Sequence, residues 1–212
     1  MDILLFGIQG SGKGTQGKLL KDYYDMAYFE TGAELRRLAQ EDKELGKKVK
    51  EIIEAGHLVP NEVVMDIVEN FMDNVPEGKA IFFDGIPRKM VQKETLDALL
   101  NKHSREFKVV ILDLTEELAL ERLTKRRICS KCKEVYPAKY DKDVCEKCGG
   151  ELITRTDDNA ESIKVRLQAF ADETMPVVNK YEEEGKLIHV DGSGSIEEVD
   201  KLLKETLDPI LK

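Results

Sequence analysis

No apolar run in this 212-residue chain approaches the ~20 residues that a membrane-spanning helix needs. Positive charge is not in excess either. Lys and Arg number 33 against 42 Asp and Glu, and the formal net charge of -9 argues against a general affinity for nucleic-acid backbones or anionic membranes. Histidine is scarce: His57, His103 and His189 are scattered and are read as incidental. There is no internal repeat and no low-complexity segment, which excludes solenoids and disordered arrays. Met1-Asp2 leads straight into an apolar strand without the features of a signal peptide, so a cytoplasmic protein is expected. Cysteine is confined to four residues between positions 129 and 148. With 41% hydrophobic residues the chain can build a real core, as one large domain or one domain with insertions.

What is present begins at the N-terminus. Ile3-Leu4-Leu5-Phe6 runs into Gly7-Ile8-Gln9-Gly10-Ser11-Gly12-Lys13-Gly14-Thr15, a phosphate-binding loop of the G-x-x-x-x-G-K type. Backbone N–H groups face an anion only where the loop curls tightly, often at positive φ, which glycine allows. Lys13–Tyr24 reads as a helix whose N-terminus adds positive potential at the phosphates, and Lys13 adds a mobile full charge. Ser or Thr usually follows the lysine and reaches Mg2+, but here Gly14 follows. Either the metal contact is looser or Thr15 takes that role.

Along the chain, short Ile-, Val- and Phe-rich strands are expected at Asp2–Phe6, Ala27–Phe29, Ala80–Asp84, Lys108–Leu112 and Lys186–Val190. Ile81-Phe82-Phe83 and Val109-Val110-Ile111-Leu112 are continuously apolar, as in central strands covered on both faces. Amphipathic or capped helices separate them, at Asn61–Met72, Thr115–Arg127, Ala160–Glu184 with a kink at Pro176, and Ser195–Ile210. The alternation implies a parallel sheet with helices on both faces. Two regions break the rhythm: residues 30–59, helical without a strand, and residues 128–158.

The second region holds Cys129-Ser130-Lys131-Cys132 and Cys145-Glu146-Lys147-Cys148. Two such knuckles offer four thiolates to one tetrahedral ion, and Zn2+ fits without geometric demands. Four protein ligands leave no open position, so the site is expected to be structural. Two disulfides or a redox role are the alternatives, and a cytosolic setting that keeps thiols reduced weighs against disulfides. Arg122, Arg126 and Arg127 precede this region, and Arg155 and Arg166 follow it. Singly each reads as solvated helix charge. As a set bracketing an insertion they read as a movable clamp that carries guanidinium groups to a phosphoryl group.

With these motifs in order, the chain resembles the adenylate kinases of the long, zinc-bearing lid type. The resemblance covers nearly the whole chain. It rests on Gly7 to Thr15, Thr31-Gly32 with Arg36, Asp84-Gly85-Ile86-Pro87-Arg88 followed by Gln92, Arg126-Arg127, the four cysteines, Arg155-Thr156-Asp157-Asp158, and Arg166. It implies an α/β P-loop kinase fold: a five-stranded parallel sheet flanked by helices, a helical monophosphate-binding insert at 30–59, and a zinc-ribbon lid at 125–158. Residues 1–29, 60–124 and 159–212 would form the core domain. The implied reaction is reversible phosphoryl transfer from MgATP to AMP, giving two ADP. The implied partners are these small molecules, with no nucleic acid and no membrane, and the protein a monomer.

The resemblance also implies the site. Lys13, Arg88, Arg126, Arg155 and Arg166 would be catalytic. ATP would lie on Gly10 to Thr15, Arg122, Arg126, Val135, Tyr136 and Gly194. AMP would lie among Thr31, Gly32, Arg36, His57, Leu58, Val59, Gly85, Ile86, Pro87, Arg88, Gln92, Arg155 and Arg166. Asp84 and Thr15 would hold Mg2+ through water, and Cys129, Cys132, Cys145 and Cys148 would hold Zn2+. Asp84 fits physically, because it ends an apolar strand at the sheet edge beside the loop. Gln92 offers a carbonyl and an amide on one planar group, a match for adenine. Thr31 leans toward AMP, since similar uridylate and cytidylate kinases usually carry Ala there. Several residues depart from the family pattern: Gln9 for the usual proline, Ala33 for a common aspartate, Ile86 for phenylalanine, and a shortened lid with Tyr136-Pro137. The alternatives are a kinase for another nucleoside monophosphate and a zinc-ribbon adaptor switched by nucleotide.

Overall fold

A computed structural model describes residues 1–41, 43–137, 140–155 and 158–212. Five strands form one sheet in the order β2-β3-β1-β4-β8. They are β1 (Asp2–Gly7), β2 (Ala27–Glu30), β3 (Ile81–Asp84), β4 (Phe107–Asp113) and β8 (Leu187–Asp191). Every pairing is parallel. β1 and β3 are buried at every position, as their continuous apolar sequences require, while the edge strands β2 and β8 are only partly covered.

Side chains alternate across β1. Leu4 and Phe6 join a core built with α4 (Asn61–Asp73), α5 (Met90–Lys102) and α8 (Met175–Glu183). Ile3 and Leu5 face the opposite core, built with α1 (Lys13–Tyr23) and α9 (Ile196–Leu211). Residues 30–59 are helical as expected, forming α2 (Thr31–Leu38) and α3 (Glu44–Glu54). Between α6 (Glu116–Lys125) and α7 (Ala160–Ala169) lies a separate antiparallel sheet, β6-β5-β7, of β5 (Arg127–Cys129), β6 (Val135–Tyr136) and β7 (Leu152–Ile153). No described helix is long and apolar enough to cross a membrane.

Two helices differ from the sequence expectation. The one expected to run to Arg127 stops at Lys125, because Arg127 pairs with Tyr136 in the small sheet. Thr115 caps its start by accepting from the Leu118 N–H at 3.3 Å. The one expected at Ala160–Glu184 with a kink at Pro176 is continuously helical from Ala160 to Glu183, but a π turn at Phe170–Thr174 divides it into α7 and α8, and Pro176 follows in the first turn of α8. The remaining expected boundaries agree within one or two residues.

Asp2 locks the start of the sheet. Its carboxylate is almost fully buried. It accepts from the Ile81 N–H at 2.8 Å and from Arg105 at 2.6 and 2.9 Å. Asp2→Ala leaves a half-buried guanidinium and a buried strand N–H without that acceptor. It is expected to cost about 3–5 kcal/mol in denaturant unfolding, and a loss below ~1 kcal/mol would contradict this reading.

Candidate active site

The carboxyl ends of β1, β2, β3 and β8 open into a cleft of about 1020 Å³. Ligands bind at this edge in open parallel sheets, where successive connections leave in opposite directions. The glycine loop forms its floor. Gly10 has φ 92°, and a Cβ there would lie 2.8 Å from the Ala119 carbonyl oxygen, so only glycine fits. α1 starts at Gly12 with no side-chain cap, which leaves first-turn N–H groups to the cleft. Ser11 Oγ and Gln9 Oε1 are buried in the loop with no partner among the described residues.

Six cations in the cleft share one property: Lys13, Arg36, Arg88, Arg122, Arg126 and Arg166 each rest on an acceptor of the protein itself. Lys13 Nζ donates to the carbonyls of Gly7 and Ile8, the latter at 3.1 Å. Burial lowers its pKa to about 8; Asp84 opposes the shift and Arg88 and Arg126 reinforce it. Arg88 Nε donates to the Gly85 carbonyl at 2.9 Å, and burial lowers its pKa too. Arg126 forks onto Asp158 at 2.8 and 2.7 Å, and Arg166 reaches the same carboxylate at 2.8 Å. The Asp158 side chain is 0% exposed. Arg122 donates to the carbonyls of Gly192, Ser193 and Gly194. Arg36 pairs with Glu30 at 3.0 Å. A phosphate with ionised oxygens is a stronger acceptor than a carbonyl, so the arrangement is chemically set to take polyanions.

The structure gathers most of the residues singled out from sequence onto this wall. Gly10 to Thr15, Thr31, Gly32, Arg36, His57, Leu58, Val59, Asp84, Gly85, Arg88, Gln92, Arg122, Arg126, Val135, Tyr136, Arg155, Arg166 and Gly194 all line it. Ile86 does not: it is 1% exposed inside the hydrophobic core. Pro87 lines a small side pocket with Phe170 and Thr174. Thr156 and Asp157 lie outside the described residues. Gln92 is buried with Oε1 accepting from the Arg88 N–H at 2.7 Å. The Thr31 hydroxyl donates to the Asp84 carbonyl at 3.1 Å. His189 sits on an edge strand against Asp113 at 2.9 Å, away from the cleft.

Two residues, Glu30 and Tyr28, escaped the sequence reading, and Asp158 is named there in a motif without a role. Glu30 ends β2 directly beside Asp84 in the parallel register, and its carboxylate lies in the cleft where Ala33 supplies none. Tyr28 donates to Asp84 Oδ2 at 2.9 Å. Asp158 anchors two arginines. The available signal was an acid at the end of a second strand and an acid just after Arg155.

The small sheet carries the cysteines. All four Sγ atoms lie within 4.8 Å of one another, and the pairs Cys129–Cys148 and Cys132–Cys145 are each 3.4 Å apart. Tetrahedral coordination at ~2.3 Å places sulfurs about 3.8 Å apart, so the donor set fits a metal ion. A Cβ at Gly150 would lie 2.7 Å from Cys129 Sγ, which keeps that position glycine. Tyr136 donates to Cys145 Sγ at 3.2 Å and holds its thiol low, at about 6. Apart from the cysteines, the apolar cluster here comprises, among the described residues, Tyr136, Leu152 and Tyr140, too little to hold the sheet alone.

A family model described as adenylate kinase matches residues 5–186. An adenylate kinase of Kosmotoga olearia is 39% identical, with 98% of this chain and 99% of the relative covered. Those of Caldanaerobacter subterraneus subsp. tengcongensis and Archaeoglobus fulgidus are each 38% identical, covering 98% and 99% of this chain and 96% and 99% of their own lengths.

A bound polyphosphate restores the proton that burial lowers on Lys13. Above pH about 8 the free protein has lost that proton, so binding takes one up and affinity falls as pH rises; well below 8 neither occurs. Calorimetry with inorganic triphosphate in two buffers of different ionisation enthalpy is expected to show this uptake in the wild type minus Lys13→Met difference. Equal uptake in both proteins at pH 8–9 would contradict it.

Proposed function

The chain belongs to the adenylate kinase family, and we propose that its internally held cations are the phosphate machinery of that family's reaction. The reaction is reversible transfer of the ATP γ-phosphoryl group to AMP, giving two ADP. The observation that carries the assignment of residues is the cleft itself, with Lys13, Arg88, Arg126 and Arg166 all engaged on the protein's own acceptors. Gly10 to Thr15 cradle the donor phosphates by backbone N–H. Lys13 follows charge onto the transferring group. Arg122 and Arg126, with Val135, Tyr136 and Gly194, hold ATP. Arg36 and Arg88 fork onto the AMP phosphate, with Thr31, Gly32, His57, Leu58, Val59, Gly85 and Gln92 around the nucleoside. Arg155 and Arg166 span the two phosphate chains.

No general base is needed, because the acceptor is a phosphate oxygen already anionic. Alignment and charge stabilisation suffice. Mg2+ arrives with ATP and neutralises charge on its phosphates; Asp84 and Thr15 would hold its water ligands. Residues 30–59 and 125–158 close as inserts over a core of 1–29, 60–124 and 159–212, which excludes the water that would hydrolyse ATP. We assign Zn2+ to the four cysteines, in a closed tetrahedron that shapes the lid. The protein works as a cytoplasmic monomer.

A coupled assay with MgATP against AMP, CMP, UMP and GMP tests the substrate assignment, with AMP expected fastest; faster phosphorylation of CMP or UMP would overturn it. Lys13→Met is expected to lower kcat by ~10³ or more, and a folded variant within tenfold of wild type would contradict its role.

The metal separates structure from chemistry. Purified protein is expected to carry one Zn2+. Cys145→Ser should lower the Tm and abolish activity near it, while retaining much of the activity in the cold. A metal-free protein, or a variant that melts like wild type, would refute the structural site. Complete loss of activity in a cold, folded variant would mean a catalytic metal.

A further inference from the structure

The roles assigned above leave Tyr28 unused, yet it is built into the site. It lies in β2 opposite Phe82 of β3, and its hydroxyl donates to Asp84 Oδ2 at 2.9 Å. Its ring is seated on the backbone of α1. A Cβ at Gly17 would lie 2.7 Å from Tyr28 Cε2 and 2.9 Å from its hydroxyl oxygen. Glycine inside a helix is unfavourable relative to alanine, and here its missing Cβ is the space the phenol occupies. Phe82 packs near the ring, with centroids 6.0 Å apart. Burial, then Asp84 and Glu30, raises the Tyr28 pKa far above its ordinary range, so the phenol keeps its proton and remains a donor.

Asp84 needs such a support. It is 6% exposed, Lys13 and Arg88 attract it, and Glu30 repels it. Coulombic attraction and repulsion do not select between the two oxygens of a carboxylate, whereas a hydrogen bond to one of them does. A donor on one oxygen leaves the other oxygen as the acceptor for the cleft.

We propose that Tyr28 is a positioning residue for Asp84, fixing the carboxylate through Oδ2 so that Oδ1 is presented to the water ligands of MgATP, and that Gly17 is glycine in order to seat the Tyr28 ring. This rests on the assignment of Asp84 given above. Tyr28 and Gly17 then form one unit with Asp84, although neither touches substrate.

The test uses Tyr28→Phe, Asp84→Ala, the double variant and Gly17→Ala in the full-length protein. Two quantities are read: kcat with KM for AMP, and the ratio of MgATP to metal-free ATP affinity, measured calorimetrically with and without EDTA. Tyr28→Phe is expected to lower kcat and the affinity ratio each by ~10-fold, with KM for AMP and metal-free ATP affinity within about twofold of wild type and the Tm shifted by only a few degrees. The double variant should be no worse than Asp84→Ala, because removing the positioned group removes the effect of positioning it. Gly17→Ala should reproduce the loss in the presence of Tyr28 and add nothing to Tyr28→Phe, which keeps the question answerable if Tyr28→Phe folds poorly. If Asp84→Ala changes neither quantity, the Asp84 assignment fails and this proposal with it. If Asp84→Ala lowers both while Tyr28→Phe and Gly17→Ala do not, or if the losses add, Tyr28 is structural and only this proposal falls.

Discussion

The structure depends on one constraint: several full positive charges must share a water-poor cleft before any phosphate enters it. Lys13, Arg88 and Arg126 lower one another's pKa or are lowered by burial, and none could stay there unpaired. The fold answers with internal acceptors. Carbonyls at strand and loop ends serve Lys13, Arg88 and Arg122, and the wholly buried Asp158 side chain serves Arg126 and Arg166 together. The carbonyl contacts are weaker than those a phosphate chain offers, and the Asp158 pair is matched by phosphate oxygens, so ligand binding exchanges partners rather than creating a charged cluster from nothing.

The architecture follows from where those acceptors can be placed. A parallel sheet ends several strands at one edge, which brings the loop after β1, Asp84 at the end of β3 and Gly192 just beyond β8 to one cleft. Arg126 leaves α6 at the point where the chain turns into the small antiparallel sheet, and Asp158 stands where it returns toward α7. The Arg126–Asp158 pair therefore ties the two ends of that excursion together. Beyond it, the cysteine cluster does for the small sheet what the two apolar cores do for the large one.

Much of this was legible in the sequence because the informative signals were local. The glycine loop, the two cysteine knuckles and the apolar strands each lie within a few consecutive residues, and their geometry follows from spacing. What escaped was relational. Glu30 becomes a cleft residue only because β2 pairs with β3 in a register that sets it beside Asp84. Gly17 and Tyr28 are unremarkable apart and meaningful only when α1 packs on β2. The break at Phe170–Thr174 precedes Pro176 because a π turn absorbs the irregularity one turn early, which no local rule for proline specifies. Ile86 carried a motif position into the core instead of the cleft wall, since its neighbours there are Leu, Val and Phe side chains rather than a ligand.

The most direct test of partner exchange is a crystal structure with two ADP molecules and Mg2+, compared with the free protein. The account predicts that Lys13 leaves the Gly7 and Ile8 carbonyls, that Arg88 leaves Gly85, and that at least one of Arg126 and Arg166 trades Asp158 for phosphate oxygens. Nucleotides seated in the cleft while those internal hydrogen bonds all remain intact would contradict it.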